Sequence, residues 1–158
     1  IIPLRQELIL TEQYLYIQNL RYMDFVDYEI TYESSWEDHG AEIPKLTIQP
    51  VVENIFVHGL TNQMCHIHLN VSIKNNTIYI SISDNGSGIP REKLTELNRS
   101  IRDFKTARYS FGLPSINHRI SLLYGENYGL TIKSSPENGT TVTIAIPDKK
   151  STLGGNIK

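Results

Sequence analysis

The sequence predicts an α+β fold in which helices cover one face of a mixed, mostly antiparallel sheet. Several short segments alternate apolar and polar residues, as strands do when one face is buried and the other meets solvent. Tight turns at Asn75-Asn76 and at residues 136–139 join these segments in pairs, which favours antiparallel neighbours. A Rossmann-type sheet buried on both faces is therefore disfavoured.

The predicted elements run in the order helix, strand, helix, two strands, helix, loop, helix and two strands. The first helix, residues 4–20, carries Leu4, Leu8 and Leu15 near one face, and Pro3 suits its first turn. A helix over residues 43–60 should be kinked at Pro50 or begin there. The remaining predictions are strands over residues 25–33, 66–74, 78–84, 128–134 and 140–146, helices over 90–99 and 113–123, and a loop over 99–111.

Composition limits the possible functions. The chain has 158 residues, of which 39% are hydrophobic and 20% charged, with a net charge of −2, so one domain with a sizeable core is expected. This balance gives no electrostatic footprint for nucleic acid. The single cysteine, Cys65, favours a reducing compartment. No apolar run approaches the roughly 20 residues of a membrane span.

Strand parity points Asp84 toward the covered face of the sheet. Ile78, Ile80 and Ile82 share a face with Asp84, so a carboxylate follows three core residues. Alone, this position is most typical of a structural Asp at a turn. Two glycines follow, however, and an ordinary Asn-Gly turn explains Gly86 but has no need of Gly88. The loop therefore indicates a close backbone approach to a ligand.

Asn54 and His58 lie four residues apart on a predicted helix and so share a face. A solvated helix stripe explains them equally well, although an Asn oxygen also suits Mg²⁺. Gly112 opens another helix, an arrangement that can bind anions. A basic run precedes it, consisting of Arg99, Arg102, Lys105 and Arg108. Such a run is usually a solvated face, but here it could attract phosphates.

His66 and His68 form a His-x-His pair on the polar face of a predicted strand. No third metal ligand is evident, and surface residues are the favoured interpretation.

In this order the segments resemble the GHKL superfamily of ATP-binding domains, and within it the LytS/YesM type of sensor histidine kinase. Residues 4–22 are similar to the linker after the phosphoacceptor domain of that subgroup, and residues 43–59 are similar to its N box. Asp84-x-Gly86-x-Gly88-Ile89 matches the first glycine box, residues 112–125 the second, and residues 139–144 the closing motif. Five motifs in the right order make the resemblance specific.

The resemblance implies a Bergerat fold that holds ATP between sheet and helices. Asp84 would accept a hydrogen bond from the adenine amino group, with Gly86, Gly88 and Ile89 passing close to the base. Asn54 would bind Mg²⁺, His58 would lie near the phosphates, and Gly112 and Leu113 would end a mobile lid. Glu53 is a possible base for histidine phosphorylation. Thr140 should face the pocket by parity, where its hydroxyl could support Asp84 or simply reflect strand propensity.

The resemblance also implies partners. The Pro-His-Phe acceptor motif of the subgroup does not occur here, so the phosphorylated histidine would lie outside this chain. Residues 1–22 would be the linker helix from the phosphoacceptor domain, 23–148 the ATP-binding domain, and 149–158 a disordered tail. A response regulator would receive the phosphoryl group. The parent protein would be a homodimer anchored at the cytoplasmic side of the membrane.

Some positions depart from the family pattern. Ser110, Pro114 and Ser115 are unusual in the second glycine box, and they leave a degenerate, non-catalytic module as an alternative. Pro50 stands where ATPase relatives carry a Glu base, which disfavours vigorous ATP hydrolysis. A serine kinase of the anti-sigma-factor type is a further alternative, which the long first helix disfavours.

Overall fold

The computed structural model describes residues 1–23, 25–33, 40–103 and 112–148. The helices are α1 (Leu4–Arg21), α2 (Gln49–Asn54, continued by one π-helical turn, Ile55–Gly59), α3 (Arg91–Arg102) and α4 (Leu113–Tyr124). The strands are β1 (Ile2–Pro3), β2 (Val26–Tyr32), β3 (Glu42–Ile43), β4 (Cys65–Lys74), β5 (Thr77–Asp84), β6 (Gly129–Ser134) and β7 (Thr140–Pro147).

Five strands form the main sheet in the order β2-β4-β5-β7-β6, and β1 pairs with β3 as a separate two-stranded ribbon. The β2–β4 pair is parallel, whereas the other three pairs of the main sheet are antiparallel. Asn75 and Asn76 turn β4 into β5 with φ values of 49° and 61°, the left-handed conformation that two-residue hairpins require. The predicted mixed, mostly antiparallel sheet is therefore confirmed.

The four helices of the described ranges lie on one side of the sheet, as predicted. The strand residues facing them are buried, and they include Ile67, Leu69, Val71, Ile78, Ile80, Ile82, Val142, Ile144 and Ile146. On the opposite face His66 and His68 are exposed, next to Asp27 and Thr31 of β2. The described residues contain no group of three or more His, Cys, Asp or Glu side chains able to hold a metal ion.

The N-terminal helix follows its predicted pattern, since Leu4, Leu8 and Leu15 are buried against the rest of the domain. Its other face exposes apolar side chains, namely Ile9, Leu10, Tyr16, Ile17 and Leu20. None of the helices in the described ranges is both long enough and apolar enough to cross a bilayer.

The structure decides between the two alternatives for the second predicted helix, which begins at Gln49, next to Pro50, and not at residue 43. Leu46 has a φ of 55° that no helix tolerates, while Pro50 fits the first turn. The boundary predicted at residue 99 was wrong, because α3 extends to Arg102 and buries Ile101. The predictions for Lys105, Arg108, Ser110 and the tail 149–158 lie outside the described residues.

Candidate functional site

A cavity of about 740 Å³ opens between the sheet and the helices. Its apolar walls come from β5, β6 and β7 on one side and from the helices and the loop after β5 on the other; they are Val51, Ile55, Ile82, Ile89, Leu97, Leu113, Ile132 and Val142. The polar lining side chains are Asn54, His58, Asp84, Ser87, Lys93 and Thr140. The cavity therefore combines a mainly apolar interior with a few polar groups, as small-molecule sites do.

Asp84 is the acidic group of this cavity. It ends β5 on the covered face, as strand parity predicted, and its side chain is half-buried. Its Oδ1 accepts a hydrogen bond of 2.8 Å from the backbone amide of Gly86. Burial raises the pKa of the carboxyl group, while hydrogen bonds from the backbone amides of Gly86 and Thr140 partly oppose that rise. Asp84 thus offers a poorly solvated acceptor to a ligand.

Thr140 faces the cavity beside Asp84, but its hydroxyl contacts Ser134 Oγ at 2.9 Å. The support that Thr140 gives to the Asp84 carboxylate comes from its backbone amide. Ser134 Oγ also accepts a 2.8 Å hydrogen bond from the Ile89 amide and donates one of 2.8 Å to the Gly139 carbonyl. Ser134 therefore ties the loop after β5 to the turn before β7, a role that its sequence position did not indicate.

The two glycines after Asp84 are packed against neighbouring backbone. A Cβ on Gly86 would collide with the carbonyl oxygen of Gly59, and one on Gly88, whose φ is 68°, would collide with that of Ser135. The intervening residue, Ser87, donates its hydroxyl to the His58 carbonyl at 3.1 Å. The glycines therefore let the loop pass between the π-helical turn and the β6–β7 turn, so protein packing alone already requires them.

Asn54 and His58 line the same wall of the cavity, at the end of α2 and in the π-helical turn. The side-chain amide of Asn54 makes no hydrogen bond to any of the described residues. Glu53 does not line the cavity. Its carboxylate accepts a 2.8 Å hydrogen bond from Gln49 Nε2 and contributes to the raised pKa of Tyr14 on α1, whose main cause is burial.

The start of α4 closes another side of the cavity. Gly112, Leu113 and Pro114 all line it, and Pro114 lies in the first helical turn, where a missing backbone N–H removes no helical hydrogen bond. Lys93 of α3 lines the cavity as well. Neither Lys93 nor Ser134 belongs to a motif of the resemblance, so the sequence did not indicate either residue.

A second cavity, about 840 Å³, lies along the outer edge of β6, between α3 and α4. Arg99, Arg102 and Lys133 line it, together with Glu126 and uncharged residues. Arg99 and Arg102 therefore do not line the first cavity, where phosphate attraction was the alternative to a solvated face for the basic run. None of the predicted ligand-binding residues lines this second cavity.

Residues 40–150 match the family described as histidine kinase-, DNA gyrase B- and HSP90-like ATPases. Sensor protein kinase HptS of Staphylococcus aureus strain USA300 is 29% identical over 146 residues, which cover 92% of this chain and 28% of HptS. The same values hold for HptS of strain COL. The chain thus spans just over a quarter of the length of these curated relatives.

Two solved structures share the fold. The catalytic domain of histidine kinase ThkA has a TM-score of 0.64 at 17% identity, covering 93% of this chain and 94% of that one. The histidine kinase domain of the blue-light activated kinase of Erythrobacter litoralis EL346 has a TM-score of 0.56 at 16% identity, covering 92% and 63%. With the family match extending over the cavity-lining residues from Val51 to Val142, the chain belongs to the histidine kinase-, DNA gyrase B- and HSP90-like ATPases.

Proposed function

We propose that the chain is the ATP-binding catalytic domain of a two-component sensor histidine kinase, and that it phosphorylates a histidine outside this chain. The carrying observation is the half-buried Asp84 carboxylate in the cavity of an ATPase-family domain. The cavity volume lies within the roughly 300–1,000 Å³ of small-molecule sites. Ile82 and Val142 flank the carboxylate along the two strands and offer apolar surface to a flat base. Asp84 then selects adenine by accepting a hydrogen bond from its amino group.

Asn54 is the proposed Mg²⁺ ligand. Its amide lines the cavity without a hydrogen-bond partner among the described residues, and amide oxygens are ligands that Mg²⁺ accepts. The ion supplies neutralisation of phosphate charge when nucleotide binds. His58 and Lys93 line the same cavity and provide further groups for the phosphates. Gly112 and Leu113, at the start of α4, complete the phosphate side.

The proposed reaction moves the terminal phosphoryl group of ATP to an imidazole nitrogen of the acceptor histidine. The P–O bond to ADP breaks as the P–N bond forms, and this chain contributes mainly positioning and charge stabilisation. Glu53 as the base for this step stays a prediction, since its carboxylate lies outside the cavity lining and is bonded to Gln49.

Calorimetry with MgATP tests the binding half of the proposal. The chain should bind MgATP at micromolar to millimolar concentration, Asp84→Asn should weaken adenine binding, and Asn54→Ala should weaken binding more with Mg²⁺ than with a chelator. Asp27→Asn and Asn62→Ala, both at exposed positions away from the cavity, are the matched controls. Absence of binding at millimolar nucleotide, or parental affinity in both cavity variants, would overturn the site assignment.

A transfer assay tests the reaction half. The chain is mixed with γ-labelled ATP and a separately produced phosphoacceptor domain carrying the Pro-His-Phe motif. An acid-labile label on the acceptor is the expected result, because phosphohistidine is acid-labile. An acid-stable phosphoserine would instead identify the serine kinase alternative.

A non-catalytic interaction module is the second candidate, favoured by the exposed apolar face of α1. Pro114 departs from the family pattern, but it fits the first turn of an intact α4. It therefore gives no support to the non-catalytic alternative. On the kinase hypothesis, residues 1–22 link the phosphoacceptor domain to the domain of residues 23–148. A response regulator is then the final recipient, and the parent is a membrane-anchored homodimer.

A further inference from the structure

A bridging segment, residues 42–48, joins α1, α2 and α4. It precedes α2 directly and includes β3, which pairs with β1. Leu46 within it has a φ of 55°, a conformation that is rare for a residue other than glycine and costs free energy. Since local preference does not explain this conformation, tertiary contacts must impose it.

Glu7 of α1 holds the segment from one side. Its side chain is 2% exposed, and no positively charged group pairs with it among the described residues. Instead, Oε1 accepts hydrogen bonds from the amides of Thr47 at 2.7 Å and Ile48 at 3.1 Å, and Oε2 accepts one from Leu46 at 3.2 Å. A buried carboxylate that uses both oxygens on three consecutive amides fixes the backbone immediately before α2.

Arg119 of α4 holds the same segment from the other side. Its two terminal nitrogens donate hydrogen bonds of 2.7 Å each to the carbonyl oxygens of Lys45 and Leu46. Tyr124, five residues further along α4, donates its hydroxyl to the Glu42 carbonyl at 2.6 Å. The backbone amide of Leu46 is thus hydrogen-bonded to α1 through Glu7, and its carbonyl oxygen is hydrogen-bonded to α4 through Arg119.

We propose that Glu7 and Arg119 are positioning residues for nucleotide binding, which couple the placement of α1 to both helical walls of the cavity. This inference rests on the proposed function for its nucleotide readout. The segment leads into α2, which carries Asn54, and Arg119 lies on the helix that begins at Gly112 and Leu113 in the cavity wall. Asp84 is held by the pairing of β5 with β7. The proposed adenine-binding side of the cavity therefore does not depend on residues 42–48.

The test compares Glu7→Gln and Arg119→Lys with Glu12→Gln and Arg5→Lys, which make the same changes at exposed positions of α1. We expect Glu7→Gln to raise the dissociation constant for MgATP about tenfold, equivalent to about 1.4 kcal/mol, while that for adenosine changes less than twofold. Glutamine keeps one acceptor oxygen but turns an N–H₂ group toward a backbone amide. A purely structural role would change both constants together or neither, and either result overturns the proposal.

The double variant and hydrogen exchange complete the test. If both residues act through one segment, the combined change in MgATP affinity is smaller than the product of the two single changes. Without nucleotide, Glu7→Gln should speed amide exchange in both α2 and α4, whereas loosening confined to residues 42–48 overturns the coupling. This readout separates the two proposals: a parent that binds no nucleotide refutes the function, while the exchange pattern still decides the coupling.

Discussion

The Asp84 carboxylate and the Gly86 amide form a 2.8 Å hydrogen bond within the loop that closes β5. Together with the Thr140 amide, this contact offsets only part of the cost of burial, because the pKa of Asp84 remains raised. The ionised form of the Asp84 carboxyl is therefore poorly solvated in the protein without ligand. A ligand that donates a hydrogen bond to this carboxylate relieves that cost, which ties the stability of the domain to its occupancy.

Asp84→Asn should weaken adenine-nucleotide binding about tenfold or more, the usual scale for losing a hydrogen bond to a charged group. The same change should stabilise the empty protein at neutral pH. Because the folded-state pKa of Asp84 is raised, the stability linked to its proton is present at low pH and is lost as the pH rises through that pKa. Asparagine carries no charge and avoids this loss.

Thermal unfolding of the empty parent and the Asp84→Asn variant across pH 3.5–8 checks the linkage. The variant should unfold at a higher temperature at pH 7–8, and the difference should shrink toward acid pH. Glu96→Gln, which removes one carboxylate at an exposed position of α3, is the control and should not reproduce this pattern. A variant less stable than the parent at neutral pH would contradict the argument.

Gly88→Ala should destabilise the domain by about 2 kcal/mol or more. The substitution adds the cost of a left-handed residue, about 1 kcal/mol, to a collision with the Ser135 carbonyl. Gly40→Ala is a matched control, since Gly40 has a similar φ of 58° but open space at the Cβ position. Chemical denaturation of both variants separates the cost of the left-handed conformation from the cost of the collision. Equal losses in the free energy of unfolding would show that the structure around residue 88 shifts enough to avoid the collision.

Features set by local residue patterns were predictable from the sequence, whereas features set by contacts between distant residues were not. The parity of β5 and β7 is a local signal with period two, so the inward direction of Asp84 and Thr140 was predictable without any relative. The conformation of Leu46 was not, because Glu7 and Arg119 impose it from about 40 and 70 residues away in the chain. Pro50 marked the start of α2 as one of two alternatives, but the long-range hydrogen bonds that shape residues 42–48 left no local signal.

The same distinction applies inside the cavity. Gly86 and Gly88 were singled out because glycine in such spacing is a strong local signal, and their close approach to a ligand stays a prediction. Their packing partners, Gly59 and Ser135, are brought in by the π-helical turn and the β6–β7 turn, which no periodicity reveals. Ser134 was missed because a serine at a strand end is unremarkable until its three hydrogen bonds are seen.

Cys65 should resist alkylation in the folded protein. Burial, followed by the nearby charge of Asp84, raises its pKa to about 11, and the side chain is 2% exposed. Relative to its ordinary value of 9.0, this leaves about a hundredfold less thiolate at pH 8. Since the chain has one cysteine, iodoacetamide labelling followed by mass spectrometry reports this site alone. Labelling in denaturant is the positive control, and comparable rates with and without denaturant would contradict the burial of the thiol.

Asn117 should be a stability determinant of the helical layer rather than a ligand group. Its Oδ1 accepts a 2.7 Å hydrogen bond from the Leu130 amide of β6, and its Nδ2 donates one of 2.9 Å to the Ile101 carbonyl of α3. Both bonds are buried, so Asn117→Ala leaves a donor and an acceptor unpaired and should cost about 2–4 kcal/mol. Asn127→Ala, in an exposed turn, is the control and should cost less than about 0.5 kcal/mol. Denaturant titration measures both, and equal costs would mean that water replaces the lost bonds in the second cavity, which Asn117 also lines.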